Sequence, residues 1–358
     1  MRRRGQIMKP EISVIMPVYG VEKFVARAVE SMLRQSFENF EYLVVDDGSP
    51  DKSAEIVMRY ALLDPRIRLI RQKNAGAAAA RNRAMKEAQG KYVYFMDSDD
   101  WAEPDMLKDM YELAEQHDLQ EVVAGFYIDT YYDADRYVSA CVSQPEQIFA
   151  SQREFRENAY RLFDCNLLYT PWNKLFRMDY LREKQIEFPR TFWDDFPFNL
   201  RVLRDVERVG VTGKMYYHFI RARAESETAR YRENMYDKRE EEHQWLLELY
   251  RYWQVDDENS REFIYRRYIE RVVGCVENMA GPDCRLPLME RIRRTRQMIR
   301  SEEVTRALKL SRPRSVMMKI MLIPVRMRSA CLTYLEGAFI SRVRRSNVRI
   351  FALLKASR

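Results

Sequence analysis

Strand and helix signals alternate through the first 130 residues, and this alternation constrains the fold more than any other feature. Runs of β-branched and aromatic residues predict strands at Ile12–Met16, Phe40–Val45, Ile67–Ile70, Tyr92–Met96 and Glu121–Tyr127. Apolar residues at helical spacing predict the intervening helices Val21–Gln35, Ser53–Leu63, Ala75–Ala88 and Asp105–Gln116. This order is typical of βαβ units, so we expect an α/β fold with a mainly parallel sheet flanked by helices.

The carboxyl ends of the predicted strands hold side chains suited to ligand binding, and ligands of such sheets bind there. Asp97, Asp99 and Asp100 come directly after the fourth strand. Carboxylates this close repel one another unless a cation lies among them, and Mg²⁺ takes oxygen ligands from carboxylates and substrate phosphates. The cluster therefore predicts a metal–diphosphate site. The alternative is an acidic turn that caps the next helix, since Asp and Ser suit that position.

Two loops point to the same edge of the sheet. Asp46-Asp47-Gly48-Ser49 follows the second strand, where a carboxylate can accept hydrogen bonds from a nucleobase or a ribose; these residues also form ordinary turns. Asn74-Ala75-Gly76 begins a helix, and the free backbone N–H groups of a helix start favour phosphate. Arg81, about two turns into that helix, either reaches a diphosphate or a base, or faces solvent.

Taken together, four segments resemble the family 2 glycosyltransferases of GT-A fold; they are P-V-Y from Pro17, D-D-G-S from Asp46, N-x-G-x-x-x-A-R-N from Asn74 and F-M-D-S-D-D from Phe95. The resemblance covers residues 11 to about 225 and is strongest over 11–105. It implies a GT-A, Rossmann-like sheet that binds a UDP-sugar through Pro17, Tyr19, Asp46, Asp47, Arg81 and Asp97. It also implies that Asp97 and Asp99 hold Mg²⁺ or Mn²⁺ on the donor diphosphate.

The family also has a downstream pair of acidic residues, and the second of them is the catalytic base. The matching segment here is Phe192-Trp193-Asp194-Asp195-Phe196, which implies that Asp195 is the base and Asp194 its polar neighbour. An inverting transfer needs such a carboxylate to take the proton of the acceptor hydroxyl. An N-cap for a helix at Pro197–Leu203 is a compatible second role.

Some downstream residues leave two interpretations open. Trp172, in a segment that resembles one near the acceptor side of the family, either stacks on a sugar ring or belongs to the core. His218 either contacts the metal or phosphate, or is a packed core residue of an aromatic strand. His243 is expected at the surface of a helix. Residues 129–223 show no clear periodicity, so we expect this part to be irregular and aromatic.

The net charge of +7 is concentrated near the C-terminus. Residues 301–358 have 13 Lys/Arg and 3 Asp/Glu, whereas the first 300 residues have 48 and 51. Basic and apolar residues alternate in this tail, which predicts an amphipathic segment on an anionic membrane surface or, alternatively, a helical appendage packed on the enzyme. Nucleic acid is not expected as a partner, since no recognised binding motif is present.

These observations predict a flexible basic N-terminus at 1–10, a GT-A domain at 11–225 and a helical basic region at 226–358. Within the GT-A domain, we expect a nucleotide-sugar half at 11–128 and an acceptor half at 129–225. Five cysteines without C-x-x-C spacing suggest free thiols in a reducing cytoplasm. No uncharged apolar stretch of about 20 residues is present, so we expect no spanning helix. Together with the basic tail, this gives the expectation of a cytoplasmic protein that is peripheral on the inner face of the plasma membrane.

The predicted function is that of an inverting, metal-dependent glycosyltransferase. It moves a hexose or N-acetylhexosamine from a UDP-sugar to a hydroxyl of a surface glycan, expected to be linked to a lipid. Two alternatives remain. A nucleotidylyltransferase needs a Gly-rich basic loop after the first strand, and Val18–Phe24 has one Gly and one Lys. A catalytically silent glycan-binding or scaffold protein of the same fold is the other.

Overall fold

The computed structural model describes residues 9–131, 136–191, 193–221 and 231–346. The described residues up to Asp129 and from Ser139 to Ile220 form one compact unit, and the remaining described residues form a second. The predicted domain boundary at residue 225, the first eight residues and Phe192 lie outside the described residues.

The described residues form ten strands: β1 Ile12–Val18, β2 Phe40–Asp46, β3 Ile67–Arg71, β4 Tyr92–Phe95, β5 Trp101–Ala102, β6 Glu121–Tyr131, β7 Tyr137–Val142, β8 Gln147–Ile148, β9 Lys174–Arg177 and β10 Val209–Arg221. The helices are α1 Val25–Leu33, α2 Ser53–Leu63, α3 Ala77–Glu87, α4 Met106–Gln116, α5 Gln152–Asp164, α6 Met178–Glu183, α7 Asp195–Asp205, α8 Met235–Trp253, α9 Glu258–Met279, α10 Leu288–Ile299, α11 Glu302–Leu310, α12 Val316–Arg326 and α13 Ala330–Ser346.

A single mixed sheet organises the first unit, with strand order β3-β2-β1-β4-β9-β6-β10-β5; β7 pairs with β6, and β8 with β10. The first four strands in this order are parallel, whereas β9 runs antiparallel to both β4 and β6. β2 and β4 are buried along their whole length, which explains their nearly continuous apolar sequences. The predicted α/β fold with flanking helices is confirmed, and the sheet is parallel in the half formed by β3, β2, β1 and β4.

The expectation of irregular structure across 129–223 is wrong. Much of this part forms regular elements, namely β7, β8, β9 and β10 and the helices α5, α6 and α7. Several of these elements have only two to six residues, too few for a periodic pattern to emerge. The longer β10 is buried at most positions instead of at alternate ones.

The second unit is mostly helical and has its own core. Tyr268, Ile269, Val272 and Val276, on one face of α9, lie at its centre. His243 is also buried here, and its Nε2 lies 3.0 Å from the Glu303 carboxylate, so its expected surface position is wrong. Within the described residues, no helix is both long enough and apolar enough to cross a bilayer.

Candidate active site

Parallel pairing brings the predicted ligand-binding segments to one edge of the sheet. β1 lies between β2 and β4, with Val18 paired to Asp46 and Ile15 paired to Phe95. The ends of β1, β2 and β4 therefore meet, as the sequence predicts. Tyr19 comes directly after β1 and is 54% exposed, so its ring is open to a ligand at this edge. Pro17, one residue from the end of β1, is partly buried.

Asp47 anchors the loop that precedes α3. Its carboxylate accepts hydrogen bonds from the side chain of Gln72 at 2.8 Å and from the backbone N–H groups of Ala75 and Gly76 at 2.9 and 2.8 Å. The neighbouring Asp46 is also buried and accepts a backbone N–H within its own turn. Asp47 thus positions the loop at the start of α3, and its contact with a nucleotide stays a prediction.

Arg81 is the central cation of the site. Its guanidinium lies 2.8 Å from Asp97, 3.1 Å from Asp194 and 3.2 Å from Asp195. The side chain is 5% exposed, so it does not face solvent. It joins the acidic cluster after β4 to the acidic pair at the start of α7, two segments that sequence analysis assigned to different roles.

The charges around Arg81 do not balance. Burial lowers the pKa of Arg81, but the attraction of Asp195, Asp97 and Asp194 outweighs it, and the pKa ends above its ordinary value. One guanidinium faces three carboxylates. The site retains an excess of negative charge, which suits a further cation.

Asp195 is the first residue of α7. Burial raises its pKa, Arg81 and Lys174 oppose the rise, and Asp194 and Asp97 add to it, with a resulting pKa of about 7. Burial also raises the pKa of Asp194, against the attraction of Arg81. Because a general base works best with a pKa near the working pH, Asp195 has the properties of one.

The backbone before this pair adopts an unusual conformation. Trp193 has a φ of 60°, in the left-handed region that bulky residues rarely occupy. Such strain persists only where the surrounding structure imposes it, and it concentrates at functional sites. Asp194 takes the N-cap position of α7 but makes no side-chain capping bond there; its carboxylate contacts Arg81 instead.

Asp100 fastens the acidic loop to β10. Its carboxylate accepts hydrogen bonds from the Tyr217 hydroxyl at 2.9 Å and the Ile220 backbone N–H at 2.8 Å. The same hydroxyl accepts the backbone N–H of Asp97 at 3.1 Å. Burial, reinforced by the charges of Asp99 and Asp97, raises the pKa of Asp100 well above its ordinary value. This anchoring role was not predicted from the sequence.

The residues after β4 fit a divalent cation shared with a substrate diphosphate. Asp97 and Asp99 supply the carboxylate oxygens that Mg²⁺ and Mn²⁺ prefer, next to the uncompensated negative charge around Arg81. The backbone carbonyl of Asp99 is held by the guanidinium of Arg27 at 3.3 Å. Among the described residues, no group of three or more His, Cys, Asp or Glu side chains is arranged to hold a metal. A cation here would therefore depend on substrate oxygens as well.

Trp172 is a core residue. It is 4% exposed and stacks on Tyr217 and Phe219, with ring centroids 4.4 and 5.6 Å away. Its backbone carbonyl accepts the Tyr94 hydroxyl at 2.5 Å. These contacts favour the core interpretation over stacking on a sugar.

Lys174, two residues further on, was not identified from the sequence. Its buried ammonium donates to the carbonyls of Leu167 and Thr170, both at 2.5 Å, and to the Asn173 side chain at 3.0 Å. Burial lowers its pKa to about 7, although Glu121 and Asp195 oppose this. The ammonium thereby holds the loop before β9 and contributes positive charge near Asp195.

His218 is enclosed by carboxylates and aromatic rings. Nδ1 lies 2.8 Å from Asp129, and Nε2 lies 3.2 Å from Glu103. The ring is stacked between Trp101 and Tyr127, with centroids 3.5 and 4.5 Å away. Both ring nitrogens are thus engaged within the protein, which favours the packed-core alternative over a metal contact.

The chain is similar to known proteins. The model of the family described as Glycosyl transferase family 2 matches residues 13–183. EpsJ, an uncharacterized glycosyltransferase of Bacillus subtilis, is 35% identical over 216 residues. The match covers 59% of this chain and 61% of EpsJ, so the chain spans about three fifths of that relative's length.

Solved structures resemble the chain over nearly its whole length. Residues 1–349 of S. aureus TarS, in complex with UDP-GlcNAc, have a TM-score of 0.64 at 21% identity, and the match covers 94% of this chain and 92% of that TarS segment. The mannosyltransferase PcManGT of Pyrobaculum calidifontis, in complex with GDP-Man and Mn²⁺, has a TM-score of 0.50 at 16% identity, covering 94% and 87%. The chain has the GT-A fold of these structures, and its residues 13–183 match glycosyl transferase family 2, in agreement with the sequence resemblance.

Proposed function

We propose that the chain is an inverting, metal-dependent glycosyltransferase. The donor is a UDP-sugar, the transferred group is a hexose or N-acetylhexosamine, and the acceptor is a hydroxyl of a surface glycan linked to a lipid. The principal observation behind this proposal is that Arg81 contacts both Asp97 and Asp195. One buried cation joins the residue expected at the donor diphosphate to the residue expected at the acceptor hydroxyl. The UDP-GlcNAc complex of the similar TarS supports the choice of donor.

Asp195 acts as the general base. Its carboxylate takes the proton of the acceptor hydroxyl while the hydroxyl oxygen bonds to the anomeric carbon of the donor. The bond from that carbon to the diphosphate breaks, and its electron pair leaves with the diphosphate. Attack from the face opposite the leaving group inverts the configuration, and a pKa of about 7 keeps enough of the base ionised at neutral pH.

Asp97 and Asp99 would hold the metal ion. When bound, such a cation would supply positive charge that stabilises the departing diphosphate. The Mn²⁺ complex of the similar PcManGT supports this assignment. The protein's own part is to keep Asp97 in position, through the Arg81 guanidinium on its side chain and the Tyr217 hydroxyl on its backbone.

We also propose that the protein works at the membrane surface. A lipid-linked acceptor requires an enzyme at the membrane surface, on the cytoplasmic side where UDP-sugars are available. Contact of the basic C-terminal region with the membrane would meet this requirement.

Thermal unfolding with UDP, with and without Mn²⁺, tests the donor and metal assignments. We expect UDP to raise the Tm more when Mn²⁺ is present, because a ligand that binds only the folded state stabilises it. Asp99→Ala should lose the metal-dependent part of the shift. Glu112→Ala, which removes an exposed carboxylate on α4, should keep it. No shift with UDP at any concentration, for the unmodified protein, would contradict the proposal and favour a glycan-binding scaffold.

A panel of UDP-sugars then identifies the donor, because glycosyltransferases slowly hydrolyse their own donor without an acceptor. One sugar should be hydrolysed faster than its epimers, and Asp195→Asn should abolish this hydrolysis. Equal background hydrolysis of all sugars by both proteins would contradict the assignment.

A further inference from the structure

The last two described helices belong to the second unit, and each has a side buried against that unit's core. On α12, Leu322 and Val325 are buried in the helical core. On α13, Gly337 faces α9 so closely that a Cβ at this position would lie 3.0 Å from the Val276 side chain. The inner faces of α12 and α13 are therefore fixed against the core, and their opposite faces point away from it.

The outer faces expose large apolar side chains at helical spacing. On α12 they are Val316, Ile320, Ile323 and Met327, the last one residue beyond the helix end; on α13 they are Leu332, Leu335 and Phe339. All seven are between 48% and 71% exposed. Intervals of three and four residues place each set in one stripe along its helix. Soluble proteins rarely expose large apolar patches, and such patches indicate a binding surface.

The charged residues near these stripes are basic, with one exception. Lys319, Arg326, Arg328 and Arg342 are all exposed, and within the described part of the chain none of the four forms an ion pair. Between residues 314 and 345 the sequence has seven Lys/Arg and one acidic residue, Glu336, which is only partly exposed. The surface thus combines apolar stripes with unneutralised positive charge.

We propose that the outer face of α12 and α13 lies in the headgroup layer of an anionic membrane. Its apolar side chains enter the boundary between headgroups and acyl chains, and its Lys and Arg side chains pair with lipid phosphates. A second copy of the chain fits less well, because two identical basic surfaces would repel each other.

This surface goes beyond the proposed transfer reaction and does not depend on it. Donor hydrolysis by Asp195 needs no membrane, so either proposal can fail while the other stands. The surface specifies which helices make the membrane contact that the composition of the tail suggests only in general terms.

Vesicle flotation of the full chain tests this surface. One set of vesicles contains phosphatidylcholine alone, and the other contains phosphatidylcholine mixed with phosphatidylglycerol. We expect the protein to float with the anionic vesicles and to dissociate as the salt concentration rises, because salt screens exposed charges. Absence of flotation with anionic vesicles at low salt would overturn the proposal.

Paired variants locate the contact. Ile320→Glu combined with Phe339→Glu should reduce binding to anionic vesicles at least tenfold, while circular dichroism shows an unchanged fold. Leu62→Glu combined with Leu63→Glu, at exposed leucines of α2 in the first unit, should leave binding unchanged. Equal loss in both pairs, or in neither, would overturn the proposal. So would sedimentation showing that the outer-face pair abolishes self-association of the chain instead of vesicle binding.

Discussion

The guanidinium of Arg81 contacts both Asp97, which follows β4, and Asp195, which begins α7, at 2.8 and 3.2 Å. Because the guanidinium is planar and its donors have a fixed geometry, one side chain sets the separation of the two carboxylates. The reaction we propose occurs between these groups. Their spacing therefore depends on a residue that takes no part in bond making.

Arg81→Lys keeps the positive charge of the side chain but should lower kcat/KM of the proposed transfer. A single ammonium cannot contact Asp97 and Asp195 in the same geometry, so the two carboxylates lose their fixed spacing. Displacements of this kind cost about 100-fold in rate, and we expect kcat/KM to fall on that order. Arg83→Lys, at a 44% exposed side chain on the same helix, is the matched control. Equal kcat/KM for the two variants would contradict the positioning role of Arg81.

The rate should depend on pH through Asp195. Burial raises the pKa of this carboxyl to about 7, and only its ionised form can accept a proton. We therefore expect kcat/KM to rise with pH through about 7 and then to level off. A pH profile at saturating Mn²⁺ measures this. A rate that falls as pH rises through the same range would show that the essential group acts as an acid.

As pH rises, the stability of the Asp100→Asn variant should increase relative to that of the unmodified protein. The folded-state pKa of Asp100 is raised above its ordinary value, so the folded state binds more protons than the unfolded state. Its contribution to stability is present at low pH and is lost as pH rises above the ordinary value of 3.8. Asparagine cannot ionise, so the variant does not lose stability in this way. Thermal unfolding over a pH series gives the difference in Tm; a difference that does not vary with pH would refute the assignment.

Lys174→Met should destabilise the first unit by about 2 kcal/mol, since it removes the side-chain donor to the Thr170 carbonyl and one of two donors to the Leu167 carbonyl, which keeps the Asn173 amide at 3.0 Å. It also removes the positive charge that lowers the pKa of the buried Glu121. Glu121→Gln in the same chain should restore part of the stability, because no buried charge is then left alone. Urea unfolding of the single and double variants measures this coupling. Strict additivity would mean that the two residues do not interact.

The sequence predicts the parallel half of the fold well because its signals there are local. α2 begins and ends at the predicted residues, Ser53 and Leu63. The end of β4 and the acidic cluster after it follow from a β-rich run that stops at Asp97. The antiparallel half lacks such signals, because β8 and β9 obtain their structure from pairing with β10 and with β4 and β6.

The site residues follow the same division. Motif order identifies the acidic cluster after β4 and the acidic pair before α7, but no sequence spacing reveals that Arg81 contacts both. The roles of Asp100 and Lys174 likewise depend on partners far away in the chain or on burial. A lysine among the aromatic and apolar residues of Pro171–Phe176 is a sequence signal that could have drawn attention to Lys174.

The central claim is that Asp195 is the base of a glycosyl transfer. The most direct measurement compares Asp195→Asn with Asp205→Asn, at the other end of α7, for UDP affinity by calorimetry and for donor turnover. We expect both variants to bind UDP with Mn²⁺ as the unmodified protein does. Turnover should be normal in Asp205→Asn and reduced by about 10²–10⁴-fold in Asp195→Asn. Full turnover in Asp195→Asn would contradict the account.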